Sequence, residues 1–155
     1  MTDDPLAIHS LRLRHAAALE MLYAAAREAE LIGEPQCITI VNRDGVVLAQ
    51  LRMDGARLNA LAISETKART AASTYFASAP NDNELAVALA CGGRQTGLEG
   101  GLPIYLDGEL IGGIGVSSGP AEADLTCARS ALAISDRFSE RGPERPASAP
   151  PISVR

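Results

Sequence analysis

Ile38-Thr39-Ile40-Val41, Asn42-Arg43-Asp44-Gly45 and Val46-Val47-Leu48-Ala49-Gln50-Leu51 form the stretch whose reading decides the fold. Two apolar, β-branched runs flank an Asp-Gly pair, which is the pattern of a β-hairpin. Met53-Asp54-Gly55-Ala56 then breaks the second strand. The same arrangement returns downstream, with Leu102-Pro103-Ile104-Tyr105-Leu106, the turn Asp107-Gly108, and a strand from Glu109 to Val116. Helical patterns surround the hairpins.

Leu11, His15, Ala18, Leu22, Ala25, Ala29 and Ile32 follow three-and-four spacing, which predicts a helix over 11–32 capped by Ser10 and ended by Gly33. A second helix is expected over 58–78, with Leu61, Ala68, Ala72 and Phe76 on one side and Pro80 as its stop. A short piece over 82–90 and a last helix over 120–138, opened by Pro120, follow. Residues 91–101 hold five glycines and read as a loop too flexible to be core. The order helix, hairpin, helix, helix, hairpin, helix implies one antiparallel sheet of four or five strands with helices packed on it, an α+β fold.

The chain divides into an N-terminal extension (1–9), one folded domain (10–141) and a tail (142–155) whose four prolines predict disorder. At 155 residues there is room for one domain, and 46% nonpolar content supports a core. Five aromatic residues and no Trp mean that this core is built from Ala, Leu, Ile and Val. A net charge of −5 with so few stacking platforms argues against a nucleic-acid partner. No apolar run reaches the roughly 18 residues of a membrane span, and Met1-Thr2-Asp3-Asp4-Pro5 does not open a secretory signal. Cys37, Cys91 and Cys127 are odd in number and widely spaced, the expectation being reduced thiols in a cytoplasmic protein.

Gly113-Ile114-Gly115-Val116-Ser117-Ser118 resembles a dinucleotide fingerprint, but the glycines fall inside the return strand of a hairpin, not after the first strand of a βαβ unit. Glu122 and Asp124 would also repel a phosphate there. Glycine within a strand more often marks close approach of another backbone or a ligand. No Ser-His-Asp arrangement is present. His15, on the apolar stripe, reads either as a buried or interface histidine or as a haem-iron ligand or acid/base group.

Of fourteen basic residues, thirteen are Arg and one is Lys67. Its helical neighbours Ile63, Ser64, Thr70 and Ala71 are mostly small, so a ligand is expected to approach its ammonium. The alternatives are a solvated or salt-bridged lysine and one used for proton transfer or as an amine nucleophile. Arg52 and Asp54 read as a local ion pair or as the charged rim of a pocket.

Ile40 to Ala49, Arg52-Met53-Asp54-Gly55-Ala56 and Ser64-x-x-Lys67-Ala68-x-Thr70-Ala71 together resemble the GlcG/HbpS family. Gly100-Gly101-Leu102-Pro103-Ile104, Gly108 to Ser117 and the helix from Pro120 complete a similarity spanning about 10–138. The resemblance implies a profilin-like sheet in α/β/α layers and assembly into higher oligomers, often octamers. It extends to secreted haem sensors, the C-terminal part of propanediol-utilisation corrinoid adenosyltransferases and proteins encoded beside glycolate oxidation genes. It makes haem a possible cofactor, held by His15 on the first helix, with no other cofactor expected. Cys91-Gly92-Gly93-Arg94-Gln95-Thr96 departs from the smooth loop of relatives.

Two functions follow as expectations. One is a cytoplasmic homo-oligomer that binds haem or a similar small ligand near Lys67, Gly100 and Gly101, with His15 as the candidate iron ligand. The other is a cofactor-independent isomerase, lyase or decarboxylase acting on a small oxygenated acid or ketone. There Lys67 is the acid/base or amine group, Arg52 clamps a carboxylate and Asp54 orients the clamp.

Overall fold

The first hairpin forms where its sequence places it, as β1 (Cys37–Asn42) and β2 (Val47–Arg52), with Ile40 opposite Ala49. The second is β3 (Gly101–Leu106) and β4 (Glu109–Ser117). In this computed structural model, which describes residues 6–143, β4 lies beside β1 and joins the hairpins into one antiparallel sheet. A two-residue strand, β5 (Phe138–Ser139), adds to β3, giving the order β2-β1-β4-β3-β5.

Alternation along these strands sends large side chains to one face and small ones to the other. Ile38, Ile40, Leu102, Ile104, Ile114 and Val116 meet Met21, Leu22 and Ala25 of α1 (His15–Ile32), and Cys127, Ala128 and Ala131 of α4 (Ala121–Leu132). On the opposite face Val41, Gly113 and Gly115 meet Ser64, Ala68 and Ala72 of α2 (Asn59–Thr74). The result is the α/β/α layering that the resemblance implied. The close approach expected at the strand glycines is made by a backbone. A Cβ on Gly115 would lie 2.6 Å from Ala68 N, and one on Gly113 would lie 3.1 Å from Ala72 N.

Several boundaries differ from the sequence expectation, each for a tertiary reason. Helix α1 starts at His15, with Arg14 extended at its N-cap, because residues 11–14 run along the sheet and bury Leu13 in the core. Neither Ser10 nor Leu11 belongs to the helix, and His15 is exposed. Helix α2 ends at Tyr75 in the left-handed region, before Pro80. The early stop turns the chain so that Ser78 can pack beneath β3, where it receives the Gly101 N–H at 2.9 Å. Phe76 consequently points outward, 74% exposed.

The short helix is α3 (Glu84–Ala90). The glycine loop after it is anchored at its end, for Gly97, Gly100 and Gly101 are buried. Helix α4 stops at Leu132, freeing Phe138 to join the sheet edge opposite Leu106. Gly142 sits against the Tyr105 ring; residues 1–5 and 144–155, and with them the tail expectation, lie outside the described residues. Among the described residues no helix is long and apolar enough to cross a membrane.

Replacing Gly115 with Ala pushes a methyl into the backbone of α2, where no side-chain rotation relieves it. Gly115→Ala should cost about 3 kcal/mol, the upper end for overpacking a core, measured by urea unfolding. A loss below about 0.5 kcal/mol, the range of neutral surface changes, would show that α2 can lift off the sheet without cost.

Candidate functional site

Lys67 lies midway along α2, where the helix backbone meets β3: a Cβ on Gly101 would fall 2.8 Å from the Lys67 carbonyl carbon. The side chain crosses β4. Its Nζ donates to Val116 O at 2.8 Å and to Asp124 Oδ2 at 2.7 Å. Both members of this ion pair are almost fully buried, at 4% and 3% side-chain exposure. Asp124 is in the first turn of α4, and its other oxygen, Oδ1, accepts the Gly119 N–H at 3.2 Å. The same N–H also reaches Gln36 Oε1 at 3.1 Å. Gln36 Nε2, buried beside them, closes no hydrogen bond among the described residues.

Burial pushes the Asp124 carboxyl above its ordinary value, while the Lys67 hydrogen bond and charge and the Gly119 N–H pull it back. The pair forms the floor of a cleft of about 340 Å³ between the start of α2, the turn from β4 into α4, and residues 97–99. Arg57, Asn59, Ile63 and Ser118 are among its walls.

The candidate residues taken from the sequence separate into three places. Lys67, Gly100 and Gly101 are together, but the small neighbours of Lys67 do not expose it as expected. Small side chains let the sheet come closer, and Asp124 closes over the ammonium. Arg52 and Asp54 line a different cleft, with Tyr23, Glu30 and Met53. Arg52 Nε donates to Ala56 O at 3.1 Å, and no Arg52–Asp54 ion pair forms among the described residues. A Lys67–Arg52–Asp54 constellation is therefore not assembled within one chain. His15 is the first residue of α1, on the other face of the sheet.

Asp124 is the residue that sequence reasoning missed. It is 57 positions from Lys67, and from the sequence its place in a helix's first turn counted only, with Glu122, as repelling a phosphate. Cys91 is half-buried beside a cleft that also contains Arg43, Arg69 and Arg94. All three cysteines are free, and burial pushes the Cys127 thiol up to about 11. Among the described residues no group of three His, Cys, Asp or Glu could hold a metal ion.

Removing one member of a buried pair strands the other. Lys67→Met and Asp124→Leu should each cost about 3–5 kcal/mol in chemical unfolding, and the double variant should recover most of the loss. Purely additive losses would contradict the pair. The pH dependence has a definite sign. Asp124 titrates above 3.8 in the fold, so just above that pH the folded state holds a proton that the unfolded chain has released. This carboxyl therefore favours the fold at the acid end of the window, and the advantage is lost as pH rises through the folded value. Asp124→Asn should remove that component from a stability–pH curve.

Comparison with known proteins places this geometry. The family model described as haem degrading protein HbpS-like matches residues 13–133. An uncharacterised 15.0 kDa protein of Citrobacter freundii is 35% identical over 136 residues, covering 81% of this chain and 91% of its own. Protein GlcG of Escherichia coli is 34% identical over 110 residues, 68% of this chain and 81% of its own. The corrinoid adenosyltransferase PduO of Salmonella typhimurium is 30% identical over 125 residues, 74% of this chain but only 36% of its own length. Among solved structures, a PduOC:heme complex superposes with a TM-score of 0.78 at 25% identity, covering 84% of this chain and 99% of that one. HbpS gives 0.75 at 30% identity, covering 86% and 97%. With its five-stranded antiparallel sheet, its α/β/α layers and these matches, the chain belongs to the HbpS-like family.

Proposed function

We propose that this protein binds haem, with His15 as the residue that would hold the iron. The observation that carries the reading is the exposed imidazole at the first turn of α1. It has no hydrogen-bond partner among the described residues. A cleft of about 590 Å³ beside it is lined by its chain neighbours Arg14 and Ala16 with Arg12, Glu20, Leu106, Ile134 and Phe138, while His15 itself is not one of the lining residues. An apolar wall with arginines beside it suits a flat hydrophobic ring that carries two carboxylates. Leu19 and Tyr23 continue the exposed stripe one and two turns on, at 43% and 59% exposure. The Lys67 cleft is smaller and offers neither an imidazole nor a thiolate, which favours α1 for the iron.

When bound, haem supplies an iron centre capable of electron transfer and dioxygen chemistry. His15 would hold the metal, Arg12 and Arg14 would hold the propionates, and the apolar side chains would exclude water. The PduOC:heme complex, a structural neighbour, supports the ligand class. The exposed α1 stripe supports a homo-oligomer larger than a dimer, the family resemblance pointing to an octamer. The three free thiols suit a cytoplasmic setting.

Haem titrated into the protein should produce a Soret band. His15→Ala should weaken haem binding at least tenfold, about 1.4 kcal/mol, while His9→Ala leaves it unchanged. An unaltered spectrum and affinity in His15→Ala would remove His15 as the ligand. Native mass spectrometry showing only monomer at micromolar concentrations would end the oligomer reading.

A further inference from the structure

The Lys67–Asp124 pair is an expensive way to fill a core. Taking two charges from water costs several kcal/mol per ion, and apolar side chains of similar volume often serve stability as well or better. The pair is nevertheless built with care, and its surroundings leave one donor unused. An ammonium has three N–H groups. Two go to Val116 O and Asp124 Oδ2, and the third has no acceptor among the described residues. Lys67 itself lines the cleft. Gly100 keeps space beside the nitrogen: its φ is +119°, and a Cβ there would lie 2.9 Å from Lys67 Nζ.

Two further features of the cleft point to the same ligand chemistry. The exposed Arg57 guanidinium makes no ion pair among the described residues, while its backbone N–H is fixed by Ser118 Oγ at 3.0 Å. Ala121 opens α4 in the cleft wall, and no side chain caps that first turn among the described residues. Against these donors stand Asp124, engaged with Lys67, the exposed Glu122 in the same first turn of α4, which opposes a multiply charged phosphate more than a single carboxylate, and Glu99 at the exposed rim. Ile63 and Leu98 supply an apolar wall.

We propose that this cleft is a second ligand site, independent of haem, that binds a small aliphatic carboxylate. The carboxylate accepts from the third N–H of Lys67 and from the Arg57 guanidinium, and the hydrocarbon body lies against Ile63 and Leu98. Lys67 serves this role where arginine does not, because a guanidinium brings five N–H groups into a space that satisfies three.

Acetate, butyrate and succinate, with n-butanol as the uncharged control, are titrated into the full chain and followed by amide shifts of Ser118, Gly119 and Ala121. At least one carboxylate should saturate with a dissociation constant of roughly 1 mM or below, within the bound for so few atoms. n-Butanol should not saturate. Arg57 is exposed, so Arg57→Ala keeps the fold and should weaken the carboxylate at least tenfold, with Arg57→Lys restoring part of the loss. His15→Ala should leave this binding untouched. The proposal is overturned if no carboxylate saturates by about 50 mM, a limit far above the affinity expected for such a site. It is equally overturned if n-butanol binds as well, or if Arg57→Ala binds carboxylate like the parent.

Discussion

Contact between the backbone of α2 and the strand glycines Gly101, Gly113 and Gly115 sets the rest of this molecule. No side chains separate helix from sheet along this line, so α2 has one position and one rotation. That rotation sends Lys67 across β4 and delivers its ammonium to the first turn of α4, on which Asp124 waits. The ion pair thus ties α2, β4 and α4 together where the layers end. Its burial follows from the closeness of the helix, and its polarity is tolerated because Val116 O and the Gly119 N–H complete the hydrogen bonding.

The sheet divides the chemistry between its faces. Toward α1 and α4 the strands present Ile, Leu and Val, which supply a conventional apolar core. Toward α2 they present Thr39, Val41 and glycine, so that layer is thin and polar side chains reach across it. Thr39 and Ser64 hydroxyls meet at 2.7 Å there. The exposed imidazole of His15 belongs to the first layer and the buried ammonium of Lys67 to the second. The exposed imidazole and the buried ammonium therefore lie on opposite faces of the sheet and do not share a pocket.

Much of this was legible in the residues. The Asp-Gly turns and β-branched runs placed both hairpins, and the Ala-rich spacing placed α1 and α2, because local turn chemistry and periodicity determine those elements. Element ends were less legible. Leu13 leaves the helix to fill the core, and Tyr75 accepts a left-handed conformation so that Ser78 can reach β3; both are tertiary demands with no local signature. Lys67 stood out by composition, as one lysine among thirteen arginines. Its burial did not, since the glycines that permit it lie in other elements. Asp124 could be found only once the sheet had brought the two helices together, and the same folding separated Arg52 and Asp54 from Lys67.

The sole lysine makes the central claim directly measurable. Selective ¹⁵N-lysine labelling yields a single side-chain ammonium signal in two-dimensional NMR. A buried Lys67 paired with Asp124 should give a sharp ammonium resonance at neutral pH, protected from hydrogen exchange and displaced in Asp124→Asn. A signal averaged by rapid exchange with water, unchanged by Asp124→Asn, would place the ammonium in solvent and contradict the account.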